Sequence, residues 1–144
     1  MKPYKLLAAM FLVFSCIAFT GCDDDDEYYY YDQLPDAANA FLNSFFYNDE
    51  VDDIDVEGYG TGTTYEVEMM SGTEIYFDYY GNWYYIEAPW GYSIPSGIVP
   101  YPIESYVYDY YGAGINTVYI RNWGYRVTTT DNVTINFGPD GYPL

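Results

Sequence analysis

The sequence predicts an α+β protein made of two tandem repeats, each with one helix packed on a three- to four-stranded antiparallel sheet. Two observations support this fold class. Segments 34–86 and 99–144 align with each other, and in each of them an apolar spacing of three and four residues gives way to strict alternation. The first spacing is typical of an amphipathic helix, and the second is typical of a half-buried strand. Half of the residues are hydrophobic, which is enough for a packed core.

Residues 1–21 form a predicted export signal. Two lysines precede an apolar run at 6–19 that is too short to cross a membrane stably, and small residues then lead into Cys22. The block FTGC resembles a lipobox, so we expect Cys22 to carry the lipid anchor of the mature protein. Ordinary cleavage beside a stray thiol is the alternative. Because Cys16 would be lost with the signal, the lipidated chain would have no disulfide.

An acidic and tyrosine-rich tether is predicted at residues 22–33. Its acids resemble the surface-export signal of Bacteroidetes lipoproteins, and a solvated spacer that keeps the domain off the membrane is the other interpretation. We therefore expect an outer-membrane lipid anchor at the cell surface, with a periplasm-facing anchor as the alternative. The sequence assigns no role to Tyr28–Tyr31. The acids concerned are Asp23, Asp24, Asp25, Asp26 and Glu27.

The first repeat, 34–86, begins with a predicted helix. Apolar residues at positions 38, 41, 42, 45 and 46 form one stripe, and Pro35 suits the first turn. Apolar residues then alternate with polar ones, most of them acidic, around 53–57, 65–69 and 74–78, and a fourth strand is predicted at 83–86. Such strands have one face on the core and one in water.

A linker at 87–98 and the second repeat, 99–144, follow. Trp90 and Tyr92 in the linker either seal the junction between the repeats or stand exposed, and sealing is the favoured interpretation. The second helix has apolar residues at 103, 106, 107, 110 and 111, preceded by Pro100. An offset of 60 then places the alternating segment 72–83 over 132–143.

The chain resembles the PepSY-like, β-lactamase-inhibitor-like family. The resemblance rests on "LP" followed by "FLNSFF", on "YEVEMMSGTEIYFDYYGNW" and on "IPSGIVPYPI", and it spans about residues 34–144. It implies a β-lactamase-inhibitor-like fold of two helix-plus-sheet repeats with a broad sheet surface, in exported or lipidated proteins. In the β-lactamase inhibitory protein of similar architecture, an aromatic-rich concave sheet clamps a partner enzyme. No inhibitory motif matches position by position, so the resemblance implies no binding residues.

The charge balance restricts the partners. The chain has 22 acidic and 4 basic residues and a net charge of −18, which disfavours nucleic acid and leaves the lipid anchor as its contact with the membrane. A protein partner with a basic or aromatic surface is favoured. The chain has no histidine, and we find no phosphate-binding loop, so we predict no catalysis and no cofactor. Segment 48–55 lacks the EF-hand pattern, so no metal site is predicted.

The leading functional hypothesis is a non-catalytic protein-binding module that acts through the outward face of its strands, as an inhibitor of a peptidase or another enzyme would. A merely solvated sheet face is the plainer interpretation. A structural envelope protein, or a binder of glycans or cations, is the alternative function. The candidate partner-binding residues are Glu66, Glu68, Tyr76, Asp78, Trp90, Tyr119, Arg121 and Arg126.

Overall fold

The computed structural model describes residues 32–144. It has two α-helices and one seven-stranded sheet, so the predicted α+β class is confirmed. The predicted export signal, Cys22, the acids at 23–27 and Tyr28–Tyr31 lie outside the described residues. The elements are α1 (Asp36–Phe45), β1 (Val51–Glu57), β2 (Thr64–Met69), β3 (Glu74–Phe77), β4 (Trp83–Glu87), α2 (Tyr101–Tyr111), β5 (Ile115–Arg121), β6 (Gly124–Thr129) and β7 (Thr134–Phe137).

The sheet is a simple antiparallel meander in chain order, from β1 at one edge to β7 at the other. Each helix is followed by strands, in the order that the sequence predicts. The two halves are joined where β4 pairs with β5, with Ile86 opposite Val118 and Tyr85 opposite Tyr119. The strands of both halves therefore form one continuous sheet rather than two separate ones.

Both helices pack on the same face of the sheet. Ala38 and Leu42 of α1, and Ile103 and Val107 of α2, are buried in one core with the inward residues of the strands. The core residues of the strands that are fully inaccessible include Val67, Ile75, Phe77, Ile86, Val118, Val127 and Phe137. Burying a side chain of this size contributes about 1.5–3 kcal/mol, so the shared core is what holds the two halves together.

The helix ends differ from the sequence prediction in detail. Pro35 and Pro100 are N-cap residues, one position before the first turn. Helix α2 ends at Tyr111 and is capped by Gly112, whose left-handed conformation is one that glycine adopts without strain. Its predicted stripe is wrong at Tyr110 and Tyr111, which are exposed in the last turn and pack their rings on Tyr106 instead of in the core. Neither helix within 32–144 is long and apolar enough to cross a membrane.

Equivalent aromatic contacts occur in the two halves. The rings of Phe41 and Phe77 meet edge to face with centroids 5.7 Å apart, and those of Tyr106 and Phe137 do so at 5.5 Å. Both pairs join a helix to the inward side of the third strand that follows it. The sequence alignment at offsets of 65 and 60 relates the same positions.

Candidate protein-interaction surface

The outer face of the sheet, opposite the helices, carries a row of polar and aromatic residues that crosses all seven strands. Successive members face each other directly in the strand register, which brings neighbouring Cβ atoms to about 4.5–5.5 Å. The row changes from acidic to aromatic to basic along its length. We call it the central row, and its members are Asp55, Glu66, Tyr76, Tyr85, Tyr119, Arg126 and Asn136.

A second row on the same face is acidic over four strands. Asp53 faces Glu68, Glu68 faces Glu74, and Glu74 faces Glu87. We call these four residues the acidic row. Burial raises the pKa of the Glu74 carboxyl, and the negative charges of Glu66, Glu87 and Glu68 raise it further. Like charges placed directly opposite each other destabilise a sheet, so this arrangement works against the stability of the fold.

Four tyrosines form a continuous cluster at the centre of the outer face. A β-bulge in β4 makes it possible, since Tyr76 faces Tyr85 while Phe77 faces Trp83, which leaves Tyr84 as an additional residue. The rings of Tyr76 and Tyr85 are nearly perpendicular at 5.3 Å, as are those of Tyr85 and Tyr119 at 5.7 Å. Tyr84 contacts Tyr76 at 6.1 Å and Tyr119 at 6.3 Å. We call Tyr76, Tyr84, Tyr85 and Tyr119 the tyrosine cluster.

Carboxylates hold two phenols of this cluster. The hydroxyl of Tyr76 donates a hydrogen bond to Glu66 Oε1 at 2.6 Å, and the hydroxyl of Tyr85 donates to Glu87 Oε2. Burial raises the pKa of both phenols, and the hydrogen bonds to Glu66 and Glu87 raise it further. Burial also raises the pKa of Tyr84. These three rings therefore stay neutral hydrogen-bond donors at any physiological pH.

The two arginines of the described chain lie beside the tyrosine cluster. The guanidinium carbon of Arg121 lies 3.7 Å from the centroid of the Tyr119 ring, which is a cation–π contact. Arg126 donates through Nε to Asn136 Oδ1 at 3.4 Å. Within residues 32–144 neither arginine forms an ion pair with a carboxylate. The strands thus bring six of the eight predicted residues to one surface, namely Glu66, Glu68, Tyr76, Tyr119, Arg121 and Arg126.

Asp78 is not on this face as a strand residue. It follows the last residue of β3 and stabilises the β3–β4 turn, where its Oδ1 accepts hydrogen bonds from the backbone amides of Tyr80 and Asn82 at 2.9 and 2.8 Å. Its Oδ2 accepts a further bond from the Asn82 side chain at 3.1 Å. The alternation of β3 ends one residue earlier than the sequence indicated, because the chain turns at this point. Asp78 therefore has a local structural role.

The interpretation that Trp90 seals the junction is wrong. Trp90 is 88% exposed and Tyr92 is 70% exposed, while Ile94, Ile98 and Val99 fill the junction instead. Ile94 and Ile98 come later in the linker than Trp90, and Val99 directly follows the linker.

Asn116 positions the exposed loop that carries Trp90. Its Nδ2 lies within 2.9–3.0 Å of the carbonyl oxygens of Ala88, Pro89 and Tyr92. Asn116 is the extra residue at a register shift in β5, between Ile115 and Thr117. Nothing in the linear sequence indicated this role, because the carbonyls lie 24 to 28 residues earlier in the chain.

Two grooves lie on the helix side, one on each side of the linker. The first has a volume of about 510 Å³ and lies between α2 and residues 93–96. The second has a volume of about 800 Å³, and Tyr47, Asp49, Ser71 and Tyr92 are among its lining residues. In the described part of the chain, no three acidic or cysteine side chains are grouped as a metal site would need.

A seven-stranded antiparallel meander with both helices on one face leaves the tyrosine-rich opposite face uncovered by any other element of residues 32–144. A family model described as "Putative beta-lactamase-inhibitor-like, PepSY-like" matches residues 63–142. The chain belongs to this family, and the resemblance noted in the sequence is confirmed. None of the curated proteins compared with the chain matches it.

Crystal structures of Bacteroides proteins have the same fold. A "putative periplasmic protein of unknown function" from Bacteroides vulgatus is 27% identical, with a TM-score of 0.72 over 78% of this chain and 90% of that one. A "putative calcium-regulated periplasmic protein" from Bacteroides thetaiotaomicron is 24% identical, with a TM-score of 0.72 over 78% and 89% of the two chains. The second likeness is one of fold alone.

Proposed function

We propose that this protein is a non-catalytic module of the cell envelope that binds a partner protein through the outer face of its sheet. One observation carries the proposal: the outer face combines a tyrosine cluster with an acidic row whose charges no basic residue of 32–144 neutralises. Repulsion between these carboxylates lowers the stability of the free protein. A face that only contacted water would not require carboxylates placed opposite each other. A partner that neutralised these charges would recover that free energy, and violations of stability rules are typical of functional sites.

Inhibition of an enzyme is the mode of action that we infer for the module. The description of the family supports it, as does the composition of the surface, since tyrosine and arginine are enriched among the residues that dominate binding energy. The absence of histidine from the sequence is in keeping with a protein that acts by binding rather than by catalysis.

The envelope location and the anchor are parts of the same proposal. The relative from B. vulgatus is described as a "putative periplasmic protein", and residues 1–21 of the present chain are predicted to be an export signal that directly precedes Cys22. We propose that Cys22 is lipidated in the outer membrane and that Asp23–Glu27 direct the protein to the cell surface. Cys22→Ala should move the protein from the membrane fraction to the soluble fraction, whereas Cys16→Ala should leave it bound. A Cys22→Ala variant that stays membrane-bound would refute the lipid anchor.

Capture of the partner tests the binding function. The full-length protein with a C-terminal affinity tag would be expressed in its native host and crosslinked to its neighbours in the cell envelope. The tagged protein would then be purified and the attached proteins identified by mass spectrometry. We expect a specific partner that is lost when Tyr76→Ala is combined with Tyr119→Ala. The matched control combines Tyr59→Ala with Tyr142→Ala, since these tyrosines are 96% and 65% exposed and do not belong to the tyrosine cluster. Equal capture by both double variants would overturn the outer face as the binding surface.

Binding of an envelope glycan is a second candidate function, and the exposed loop favours it. Trp90 stands 88% exposed, and Tyr92 adjoins the groove of about 800 Å³, whose lining also contains Tyr47 and Asp49. Aromatic rings beside polar groups are well suited to sugar rings. Calorimetry with envelope polysaccharides should then give heat that is lost in Trp90→Ala. If calorimetry gave no heat of binding, protein binding would be the sole proposed function.

A further inference from the structure

We propose that the tyrosine cluster is a receptor for one cationic side chain, an arginine or a lysine supplied by the partner protein. The cation would lie over the rings of Tyr76, Tyr84 and Tyr85, next to the acidic row. This inference rests on the proposed function and names the chemical feature of the partner that the surface recognises.

The surface already holds one cation in this manner. Arg121 lies over Tyr119 with its guanidinium carbon 3.7 Å from the ring centroid, well within the distance of about 6 Å at which a cation is attracted to an aromatic face. Tyr119 is the member of the cluster nearest the basic end of the central row. Its three neighbours have no intramolecular cation in the described chain, although they form one continuous group of rings with it.

The carboxylates beside the rings favour a cation over another aromatic group. Tyr85 lies nearly perpendicular to Tyr76 on one side and to Tyr119 on the other, at 82° and 89°. In such edge-to-face pairs the rings stay half-buried on the outer face, so a positive charge can approach their solvent-facing sides. A neutral aromatic group would contact the rings but leave the carboxylates unneutralised.

The carboxylates strengthen the attraction of the rings for a positive charge. Glu66 accepts a hydrogen bond from the hydroxyl of Tyr76, and Glu87 accepts one from the hydroxyl of Tyr85. A hydrogen bond donated to a negative acceptor shifts electron density toward the ring, and in a partly desolvated site each charge acts through a lower dielectric than in water. A cation on either ring would therefore gain from the ring and from a carboxylate at once.

The basic residues of the chain are placed so that the acidic half of the outer face has none. Its 4 basic residues are two lysines in the predicted export signal and Arg121 and Arg126 on strands β5 and β6. Strands β1 to β4, which carry the acidic row, contain none of them. No basic side chain of strands β1 to β4 lies among these carboxylates, so an arginine or lysine of the partner would supply the missing positive charge. The planar fork of an arginine can also pair with both oxygens of one carboxylate.

The test is a titration with a defined cation. The full-length protein in detergent would be titrated with an acetylated and amidated peptide of alternating glycine and arginine, and with the same peptide carrying citrulline, the neutral isostere of arginine. The readouts are the tyrosine ring signals in NMR spectra and calorimetric heat. We expect the arginine peptide to bind at least about tenfold more tightly and to shift the ring signals of the cluster. Tyr84→Leu should weaken binding by about twofold to thirtyfold, the range of cation–π energies, and Tyr59→Leu should leave it unchanged.

Two results would overturn the receptor. Equal binding of the citrulline peptide would exclude recognition of charge. If tight binding of the arginine peptide survived both Tyr84→Leu and Tyr85→Leu, that binding would be due to the carboxylates alone. Circular dichroism confirms that each variant is folded, and Tyr76→Phe keeps the ring while removing only its hydrogen bond to Glu66.

The captured partner separates this inference from the proposed function. If the partner still binds after its interface arginines and lysines are replaced by glutamine, the binding function stands and the cation receptor fails. If the arginine peptide binds as expected but no protein is captured, the receptor stands and the protein partner fails.

Discussion

Glu74 is the residue at which the stability lost to carboxylate repulsion on the outer face is concentrated. It faces Glu68 on one side and Glu87 on the other, and its pKa is raised by burial and by these charges. A raised pKa means that the folded protein holds this proton more tightly than the unfolded chain. The ionised Glu74 side chain therefore destabilises the folded protein at neutral pH. The free energy of unfolding increases as the pH falls through the raised pKa toward the ordinary pKa of glutamate.

We expect Glu74→Gln to stabilise the protein at pH 7 by about 0.2–1 kcal/mol, the range for charge pairs directly opposite each other in a sheet. The gain should shrink as the pH falls, because Glu74 in the parent protein is then neutral as well. Urea unfolding at pH 7 and pH 4 measures the free energy of unfolding. Glu50→Gln is the control, since this exposed residue is not in the acidic row. A gain that is the same at both pH values would contradict the repulsion.

Asn116 acts at the same scale through hydrogen bonds. It supports the carbonyls of Ala88, Pro89 and Tyr92, so Asn116→Ala should cost about 1–3 kcal/mol by leaving partly buried acceptors without a donor. The loss would appear as a lower midpoint of urea unfolding and as faster amide exchange at Tyr92. Asn136→Ala removes an exposed amide from the outer face and should change stability by less than about 0.5 kcal/mol. Similar losses in the two variants would remove the special role of Asn116.

At the scale of elements, the β3–β4 turn is packed against the start of α1. Gly81 in this turn has φ +81°, and a Cβ atom there would lie 2.7 Å from the amide nitrogen of Ala38. Gly141 has φ +82° in the equivalent turn after β7, and its Cβ would meet Pro102 of α2 at 3.3 Å. Each turn thus supports the first turn of a helix, which explains why glycine occurs at both positions of the alignment.

Gly91 offers a matched comparison for Gly81. It has the same φ of +81°, but a Cβ atom there would have no neighbour within 4 Å. Gly91→Ala should cost about 1–2 kcal/mol from left-handed backbone strain alone. Gly81→Ala should cost a further 1–3 kcal/mol or so, because the helix must move away from the added methyl group. Thermal and urea unfolding compare the two variants, and equal losses would show that the turn and the helix are not tightly packed.

At the scale of the whole molecule, the pairing of β4 with β5 makes one cooperative unit from two similar halves. Ile86 is fully buried at this seam and faces Val118. Ile86→Ala should therefore destabilise both halves together, by about 2–5 kcal/mol for a large-to-small change in a core. Far-UV circular dichroism and tryptophan fluorescence should follow one coincident urea transition. Two separate transitions would mean that the halves unfold independently.

Val56→Ala is the control for the seam. Val56 lies on edge strand β1, is 49% exposed and is remote from the seam in strand order, so the variant should shift the transition by much less. The exposure of Val56 also shows that alternation predicts the face of a residue but not whether that residue is buried. Its position in the alternation places it on the core face, but little of the core covers that end of the edge strand.

The sequence alone determined the elements, the face that each strand turns to the core and the family. Local spacing decides the elements and their faces, so alternation correctly placed Glu66, Tyr76 and Tyr119 on one outer face. The family rests instead on the resemblance of whole segments. Only the tertiary structure decided the β4–β5 seam, the bulge that adds Tyr84 to the cluster, the hydrogen bonds of Asn116 and the exposure of Trp90. Each of these depends on the register between strands or on how the linker turns, and such relations join residues far apart in the chain, where no periodic pattern records them.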